Sequence, residues 1–453
     1  MSSNLTLKDL VAALEVYARL KTEYGSPGIE SHLDKAKESL EDALSALRAL
    51  PEDAGLAERE PNDLAAIRAA RPQGERVLGV PDDASYQERL SGAFLARSAG
   101  CILGSVVEGW SVDSMRALAS ENGDDFPPTD YWSSVPEPAK LRYKSIRRDA
   151  YTRDRMRGIP VDDDLQYTAL GLLILEEYGP GFGTAEVAEA WKKYLPFACT
   201  AEDIALTNIL NGVPAERAGA AGGSPPPSRA CYLSAEGGIG EVLDNPYAQW
   251  IGADIRSDPW GYVAPGMPEL AAELAYRDAF LSHRRNGIYG EMFFSAAISA
   301  AFVVDDPMEA LRTGLNEIPE SSSLAKALRW AFDVAPEIRN YGDAVGAVEE
   351  RFPGMHWVHT INNACLTIWG VAIGGSDVGR VISETVAMGH DNDCTAATAG
   401  SIVGAVVGKA GIEEKWYRPF GNTMHSYLKG IEAFAIDDLL DRFVAQMRRV
   451  TAR

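Results

Sequence analysis

Two short acidic clusters, far apart in the chain, each stand before an apolar segment with helical spacing. Residues 162–164 (D-D-D) precede L-Q-Y-T-A-L-G-L-L-I-L, and residues 391–393 (D-N-D) precede C-T-A-A-T-A-G-S-I-V. Carboxylates at this density repel one another, and burying them is costly unless a hard cation neutralises them. The pattern therefore predicts a magnesium-type site built from two distant segments, where a metal-bound water is the usual reactant.

Helix capping is the plain alternative for any one of these aspartates, since a carboxylate accepts hydrogen bonds from the free N–H groups of a first helical turn. Capping needs only one side chain, so Asp164 is either a further ligand or the cap. In an extended segment Asp391 and Asp393 would point the same way, so they could grip one ion or bridge two. Asn392 is interpreted as a turn residue, and His390 either as a hydrogen-bond donor to a ligand or as a structural residue.

A third carboxylate, Glu108, follows the apolar run G-C-I-L-G-S-V-V and precedes Gly109. That order places it where a helix ends. Negative charge is unfavourable at this end of the helix dipole. The mild conflict favours a functional role for Glu108, with a solvated carboxylate as the alternative.

Two of the predicted helices carry small residues at every fourth position, namely Gly92, Ala96, Gly100 and Gly104 in one and Ala396, Gly400, Gly404 and Gly408 in the other. Glycine costs a helix about 1 kcal/mol per position relative to alanine. A stripe that repeats this cost predicts very close packing of two central helices, whose ends could meet at one point.

Helical periodicity dominates the rest of the chain and alternating strand patterns are scarce, so we predict an all-α fold. Residues 1–50 read as an N-terminal helical hairpin, residues 51–84 as a charged, proline-broken connector, and residues 85–453 as the catalytic domain. The hairpin could pack on the main body or mediate homo-oligomerisation. Residues 221–228 and 242–268 lack clear periodicity; we expect a flexible loop and a long aromatic loop there, respectively.

Composition limits the functional class. The 453 residues carry a formal net charge of −22, which disfavours nucleic acid as a partner. Five scattered cysteines, without a Cys-x-x-Cys spacing, argue against a disulfide framework or a zinc site. The start of the chain lacks the pattern of a signal peptide, and its apolar runs are shorter than the roughly 20 residues that span a membrane. We therefore expect a soluble, cytoplasmic protein that does not bind membranes.

Three segments together resemble a known family. They are G-A-F-L-A-R-S-A-G-C-I-L-G-S-V-V-E-G-W, V-D-D-D-L-Q-Y-T-A-L and G-H-D-N-D-C-T-A-A-T-A-G-S-I-V-G. They resemble the signature segments of the ADP-ribosylglycohydrolase family, in that family's order, within residues 85–430. The resemblance implies a compact helical body around one or two Mg²⁺ ions, or Mn²⁺. It also implies a hydrolase that cleaves at the anomeric carbon of a ribose, on an ADP-ribosylated protein or a small ribosyl compound.

The resemblance also implies roles for single residues. The family's acidic motifs match the expected metal ligands Asp162, Asp163, Asp391 and Asp393. Glu108 matches the acidic residue after the first helix, and Glu108 and Asp163 are the expected catalytic residues. The segment S-H-R-R-N-G-I-Y-G resembles the family segment that lines the ribose and diphosphate pocket. Its expected substrate contacts are Ser282, His283, Gly287 and Tyr289, with a structural histidine as the alternative for His283.

The chain departs from the family pattern at three hydroxyl positions. Val161 and Cys394 stand where the family has threonines. A thiol is a poor ligand for magnesium, because hard cations prefer oxygen. Asp164, which replaces another threonine, could compensate with an extra carboxylate, and Thr395 could shift into the role. A single ion or an altered geometry is therefore one of the alternatives.

Two other functions are weighed against hydrolysis. A catalytically silent family member would bind an ADP-ribose-like or nucleoside ligand without turnover. A class I terpene synthase would need D-D-x-x-D and N-D-x-x-S-x-x-x-E motifs, but Gln166, Ala396 and Gly400 occupy the later motif positions here. Trp110, Trp250, Trp260 and Tyr262 offer flat surfaces for a nucleobase, with core packing as the alternative for each. Arg256 and Arg284 offer cations for phosphate, with surface ion pairs as the alternative.

Overall fold

The computed structural model describes residues 6–134, 149–220, 222–224 and 242–452. The chain divides into two compact units, Met1–Leu56 and Ala57–Arg453. Cys231 and most of the loop expected at 221–228 lie outside the described residues. That the front of the chain is a separate module, with a connector behind it, stays a prediction.

The first unit is a helical hairpin of α1 (Leu7–Glu23) and α2 (Ile29–Arg48). Thr6 caps α1, because its hydroxyl accepts from the Asp9 amide while the Asp9 carboxylate accepts from the Thr6 amide. Gly28, at φ 81°, precedes α2 in a left-handed conformation that glycine adopts readily. Neither helix buries a described residue within the chain.

The rest of the described chain is helical apart from one two-stranded sheet. Its α-helices are α3 (Leu56–Arg59), α4 (Leu64–Ala70), α5 (Asp83–Ser105), α6 (Val112–Asn122), α7 (Asp163–Tyr178), α8 (Thr184–Tyr194), α9 (Thr200–Leu210), α10 (Ala215–Ala218), α11 (Asp258–Val263), α12 (Pro268–Ala279), α13 (Asn286–Ala301), α14 (Pro307–Gly314), α15 (Ser323–Val334), α16 (Tyr341–Arg351), α17 (Thr360–Gly374), α18 (Val378–Ala387), α19 (Asn392–Val407) and α20 (Ile436–Thr451). The antiparallel strands β1 (Thr423–His425) and β2 (Ala433–Ala435) pair Met424 with Phe434. The predicted all-α fold is confirmed.

Helices α5 and α19 pack backbone against backbone along their small-residue stripes. A Cβ added at Gly100 would lie 2.2 Å from the Ala396 carbonyl oxygen, and one added at Gly104 would lie 2.4 Å from Asp393 Cα. Real Cβ atoms do not approach so closely, so only glycine fits at these positions. The contact confirms the predicted close packing and holds the C-terminal end of α5 against the N-terminal end of α19.

The long aromatic loop expected at 242–268 is largely absent. Residues Ile251–Arg256 form a 3₁₀ helix, α11 follows it, and Trp260 and Tyr262 are buried in the core. The expectation was wrong because polar residues interrupt the helical pattern of this segment, and in the folded protein charged residues among them are buried as ion pairs. For example, Asp258 forms an ion pair with Arg97 at 2.6 Å. Among the described residues, no helix combines the length and the hydropathy that crossing a membrane requires.

Candidate functional site

The structure gathers the two acidic clusters and Glu108 at the place where α5 ends and α7 and α19 begin. Within each of three groups, ligand-type atoms lie within 4.8 Å of one another. The groups are Glu108 with Asp391 and Asp393, Asp164 with Asp393 and Cys394, and Cys101 with Asp162 and Asp164. Because Asp393 and Asp164 each belong to two groups, the three groups form one continuous centre, hereafter the carboxylate cluster.

The first segment combines capping with site building. Asp162, 6% exposed, caps α7 through Oδ1, which accepts from the Asp164 amide at 3.3 Å. Its Oδ2 accepts a hydrogen bond of 2.6 Å from the Ser105 hydroxyl at the end of α5. Asp163 is half-buried, whereas Asp164 is buried and accepts from the Cys394 thiol at 3.3 Å. Asp162 rather than Asp164 is therefore the cap of α7. That these aspartates bind a metal stays a prediction.

In the second segment the carboxylates are not used by the helix. Asp391 stands at the N-cap position of α19, yet its side chain makes no capping hydrogen bond. Its amide donates to Asn363 Oδ1 at 3.3 Å, and His390 before it has a φ of 61°. Asp393 Oδ1 is buried and has no hydrogen-bond partner among the described residues. An unsatisfied buried oxygen is costly, so this position calls for a cation or another donor.

The electrostatics of the cluster show how closely the segments approach. The pKa of Asp163 is raised well above its ordinary value, first by burial and then by the charges of Asp162, Glu108 and Asp391. Burial, followed by Glu108 and Asp391, likewise raises the pKa of Asp393. Carboxyls in this state repel one another and hold protons more tightly than usual. Closely spaced carboxylate oxygens, one of which lacks a hydrogen-bond partner among the described residues, are suited to a divalent cation. The residues present are therefore chemically able to hold one.

Glu108 lies outside the helix that leads to it. Helix α5 ends at Ser105, and Glu108 is half-buried in the turn that follows. The next amide, that of Gly109, donates to the His390 carbonyl at 3.1 Å. This hydrogen bond joins the turn to the segment before Asp391 and keeps the two carboxylates side by side.

A cavity of about 450 Å³ opens beside these joined segments. It is lined by Gly109, Trp110, Ser111, Val112, Asp113, Val345, Glu349, Trp357, Met388 and His390. Trp357, 38% exposed, covers Gly109, at which an added Cβ would lie 3.1 Å from the indole Cη2. Its ring stacks on His356, which stacks in turn on Trp250. The cavity therefore has an aromatic wall directly beside the residues that hold Glu108 and Asp391.

The predicted substrate residues make their contacts with other parts of the protein. Ser282 Oγ accepts from Arg256 at 3.0 Å and lies 2.8 Å from His283 Nδ1, while the Tyr289 hydroxyl donates to the Pro61 carbonyl. Gly287 packs against the His283 ring. All four are buried, and His283 belongs to none of the three groups of the carboxylate cluster. Their contact with substrate stays a prediction.

The two arginines weighed as phosphate ligands are bound internally. Arg256 forms buried ion pairs with Glu202 and Asp278, each at 2.5 Å. Arg284 donates to the carbonyl oxygens of Phe280, His283 and Glu216. The ion-pair alternative therefore describes Arg256.

Two residues near the site, Asn363 and Asp254, were not expected there from the sequence. Asn363 joins the cavity wall to the cluster, because its Nδ2 donates to the Trp357 carbonyl at 2.7 Å and its Oδ1 accepts from Asp391. Burial raises the pKa of Asp254 well above its ordinary value and the charge of Asp391 adds to the shift, so this acid also faces the cluster. Only the adjacency of Asn363 to a buried helix start could have singled either of them out.

Comparison with known proteins identifies the family of this chain. A solved structure described as an ADP-ribosylglycohydrolase-related protein complex is 18% identical, covering 81% of this chain and 99% of its own, with a TM-score of 0.44. No protein with a curated description matches the chain. The family model of ADP-ribosylglycohydrolase matches residues 82–450, which include all three signature segments. The chain belongs to the ADP-ribosylglycohydrolase family.

Proposed function

We propose that this protein is a metal-dependent glycosidase that cleaves the bond at the anomeric carbon of a ribose in an ADP-ribosylated protein or an ADP-ribose-like small molecule. Membership of the family supports a hydrolase. The observation that carries the metal-dependent reaction is the meeting of Asp162, Asp164, Asp391, Asp393 and Glu108 in one cluster. Asp163 belongs to none of the three groups, but the charges of Asp162, Glu108 and Asp391 raise its pKa.

Asp162, Asp163, Asp391 and Asp393 are the proposed ligands of a divalent cation. They offer the hard oxygen donors that Mg²⁺ and Mn²⁺ prefer. A cation held there supplies neutralisation of the crowded carboxylates and a coordinated water of lowered pKa. The start of α7 and Ser105 hold the Asp162 side chain in place, and Asn363 accepts from the backbone amide of Asp391.

Glu108 is the proposed catalytic carboxylate, and Asp163 is the alternative. Both are half-buried, so each combines contact with the cluster and access to solvent. A carboxylate at this position can accept the proton of an attacking water or stabilise the positive charge that develops at the anomeric carbon. Glu108 is favoured because its own turn forms part of the cavity wall through Gly109.

The 450 Å³ cavity is the proposed entry for the substrate. Its lining includes two tryptophans and the acids Asp113 and Glu349, and neither lysine nor arginine is among the described lining residues. Aromatic rings bind flat groups well, whereas acids disfavour a diphosphate. We therefore place the nucleobase or the leaving group of the substrate here, against Trp357.

One observation favours a second candidate, a silent binder of an ADP-ribose-like ligand. Val161, 39% exposed, and Cys394 occupy positions where the family has hydroxyls. Calorimetry with ADP-ribose and Mg²⁺ or Mn²⁺, alongside turnover assays on ADP-ribosylated proteins and small molecules, separates the two. Binding without turnover of any such substrate would favour the silent binder.

The decisive variant is Asp391→Asn, with Asp377→Asn as its matched control. Asp377 caps α18 through its carboxylate, and asparagine preserves a cap. We expect Asp391→Asn to keep the melting temperature of the metal-free protein, to lose turnover, and to bind Mn²⁺ at least about tenfold more weakly. The control should match the wild type. An Asp391→Asn protein that remained active in a chelator would contradict the proposal.

A further inference from the structure

A thiol lies inside the carboxylate cluster. Cys394, the third residue of α19, donates from Sγ to Asp164 Oδ2 at 3.3 Å and is only 7% exposed. Asp164, Asp393 and Cys394 each present a ligand-type atom within 4.8 Å of the other two. The sulfur thus shares its surroundings with carboxylate oxygens rather than with an apolar core.

The two carboxylates beside this thiol each keep an oxygen unsatisfied. Asp393 Oδ1 and Asp164 Oδ1 have no hydrogen-bond partner among the described residues, although the side chains are 3% and 1% exposed. At Asp164, an ion pair with Arg97 does not replace the missing hydrogen bond. Arg97 Nη2 lies 3.9 Å from Asp164 Oδ1, and Arg97 also pairs with Asp258. A buried acceptor without a hydrogen-bond partner is costly, and a bound cation would offset that cost.

The cluster contains two chemically different groups that share Asp393. Glu108, Asp391 and Asp393 offer oxygen alone, whereas Asp164, Asp393 and Cys394 offer oxygen and sulfur. Oxygen donors suit Mg²⁺ and Mn²⁺, while thiolate selects softer ions such as Co²⁺ and Zn²⁺. Six carboxylates lie in or beside these groups, those of Glu108, Asp162, Asp163, Asp164, Asp391 and Asp393. Among the described residues, the guanidinium near Asp164 is that of Arg97, which already pairs with Asp258, so the charges leave room for both ions.

We propose that the position formed by Asp164, Asp393 and Cys394 takes a divalent transition-metal ion of the Co²⁺ or Zn²⁺ class through the Cys394 sulfur, and so differs from the oxygen-only position formed by Glu108, Asp391 and Asp393. This inference rests on the metal centre of the proposed function. On binding, the S–H bond breaks, a bond forms between sulfur and the metal, and the proton passes to solvent. No electron is transferred.

Cobalt titration of the metal-free protein tests the proposal directly. Bound through sulfur, Co²⁺ gives a near-ultraviolet charge-transfer absorption, which carboxylate ligands alone do not produce. We expect this absorption in the wild type, where excess Mg²⁺ should leave it in place. It should disappear in Cys394→Ser and Cys394→Thr, whose affinity for Co²⁺ should fall by about tenfold or more.

Two other cysteines serve as comparisons. Cys365 is buried in α17 against the Ala327 carbonyl, away from the cluster, so Cys365→Ser should keep the absorption. Cys101, which groups with Asp162 and Asp164, is the rival source of sulfur. Loss of the absorption in Cys101→Ser but not in Cys394→Ser would overturn the assignment to Cys394.

The failures of the two proposals give different results. Elemental analysis that finds Co²⁺ bound while the charge-transfer absorption is missing would overturn the sulfur position and leave the proposed hydrolase intact. A protein that binds none of Mg²⁺, Mn²⁺ and Co²⁺ would overturn the metal centre itself, and this inference with it. The melting temperature of each variant shows that a lost signal does not come from unfolding.

Discussion

At the scale of single residues, the Asp391 side chain differs from the aspartate side chains that cap helices elsewhere in the described chain. Asp63, Asp82, Asp306 and Asp377 each precede a helix and accept hydrogen bonds from its first amides. Asp391 precedes α19 in the same way, but its carboxylate makes no such bond. A side chain that gives up about 1 kcal/mol of capping must face something else. Here it faces the other carboxylates of the cluster.

Trp357 allows the proposed entry to be tested at the same scale. Removing its ring in Trp357→Ala should leave the fold intact, because the side chain is 38% exposed. If the ring stacks on the substrate, about 1–3 kcal/mol of binding is lost, which raises KM by about tenfold or more with a smaller effect on kcat. Steady-state kinetics measures both. Trp357→Phe, which keeps a ring, should recover most of the loss; a fall in kcat at constant KM would argue against stacking.

At the scale of elements, the contact of α5 with α19 determines where the two acidic segments lie. The glycine stripe lets the backbones touch, and Gly104 rests directly on Asp393. The positions of Glu108 and Asp393 are therefore coupled through one helix contact. A change in the distance between α5 and α19 would therefore displace the carboxylates of the cluster before it altered the protein surface.

Gly100→Ala tests this contact, with Gly346→Ala as the matched control. A Cβ at Gly100 would lie 2.2 Å from a backbone oxygen, whereas the space around Gly346 in α16 is open. We expect Gly100→Ala to lower the free energy of unfolding by about 1–3 kcal/mol or more. Gly346→Ala should raise it by up to about 1 kcal/mol. Chemical denaturation measures both, and equal effects of the two substitutions would refute close packing.

The cap of α17 gives a prediction about pH. His359 Nδ1 accepts from the Ile361 amide, and burial lowers the pKa of His359 from near 6.5 to about 4. Below pH 6.5 the unfolded chain takes up a proton that the folded protein refuses, so stability falls as the pH drops from 6.5 towards 4. The loss should reach about 3 kcal/mol.

His359→Asn keeps a capping oxygen but removes the titration. Denaturation curves at several pH values in this window should therefore show a shallower dependence for the variant than for the wild type. Identical slopes would mean that His359 titrates normally in the folded protein.

At the scale of the whole molecule, folding brings together groups that repel one another. Residues 162–164 and 391–393 are separated by more than half of the second unit. The charge of Asp391 nevertheless raises the pKa of Asp163. The rest of the core must hold this arrangement against its own charge, in a chain whose net charge is already −22. A divalent cation would relieve part of that repulsion.

Cation binding should consequently stabilise the folded protein. At a concentration of Mn²⁺ one hundred times its Kd, the free energy of unfolding should rise by about 2.7 kcal/mol. Calorimetry or thermal unfolding should show a higher Tm with Mn²⁺ and a lower one after chelation. In Asp391→Asn, the same additions should change the Tm much less, and an equal shift in both proteins would indicate binding elsewhere.

Part of the site could be predicted because it depends on local residue types. The glycine stripes, the acidic clusters and the all-α periodicity are each visible within a few turns of sequence. The place of Trp357 in the aromatic wall could not be predicted, since it depends on the packing of the segment before α17 against the turn after α5. Trp110, which lines the cavity, and Trp250, which stacks on His356, were among the flat surfaces considered from the sequence. The segment 242–268 was misread for a similar reason: the burial of Asp258 depends on Arg97, far away in the chain.

What the sequence determined by itself is a set of local features: the helical class of the fold, the carboxylates that stand before apolar segments, and the glycine stripes that can pack at backbone distance. Only the tertiary structure decided that Glu108, Asp163 and Asp391 share one electrostatic environment, that Cys394 lies among them, and that the side chains of Ser282 and Tyr289 bond internally. Local propensity depends on neighbours along the chain. Repulsion, burial and hydrogen bonding between distant segments depend on distances that exist only after folding.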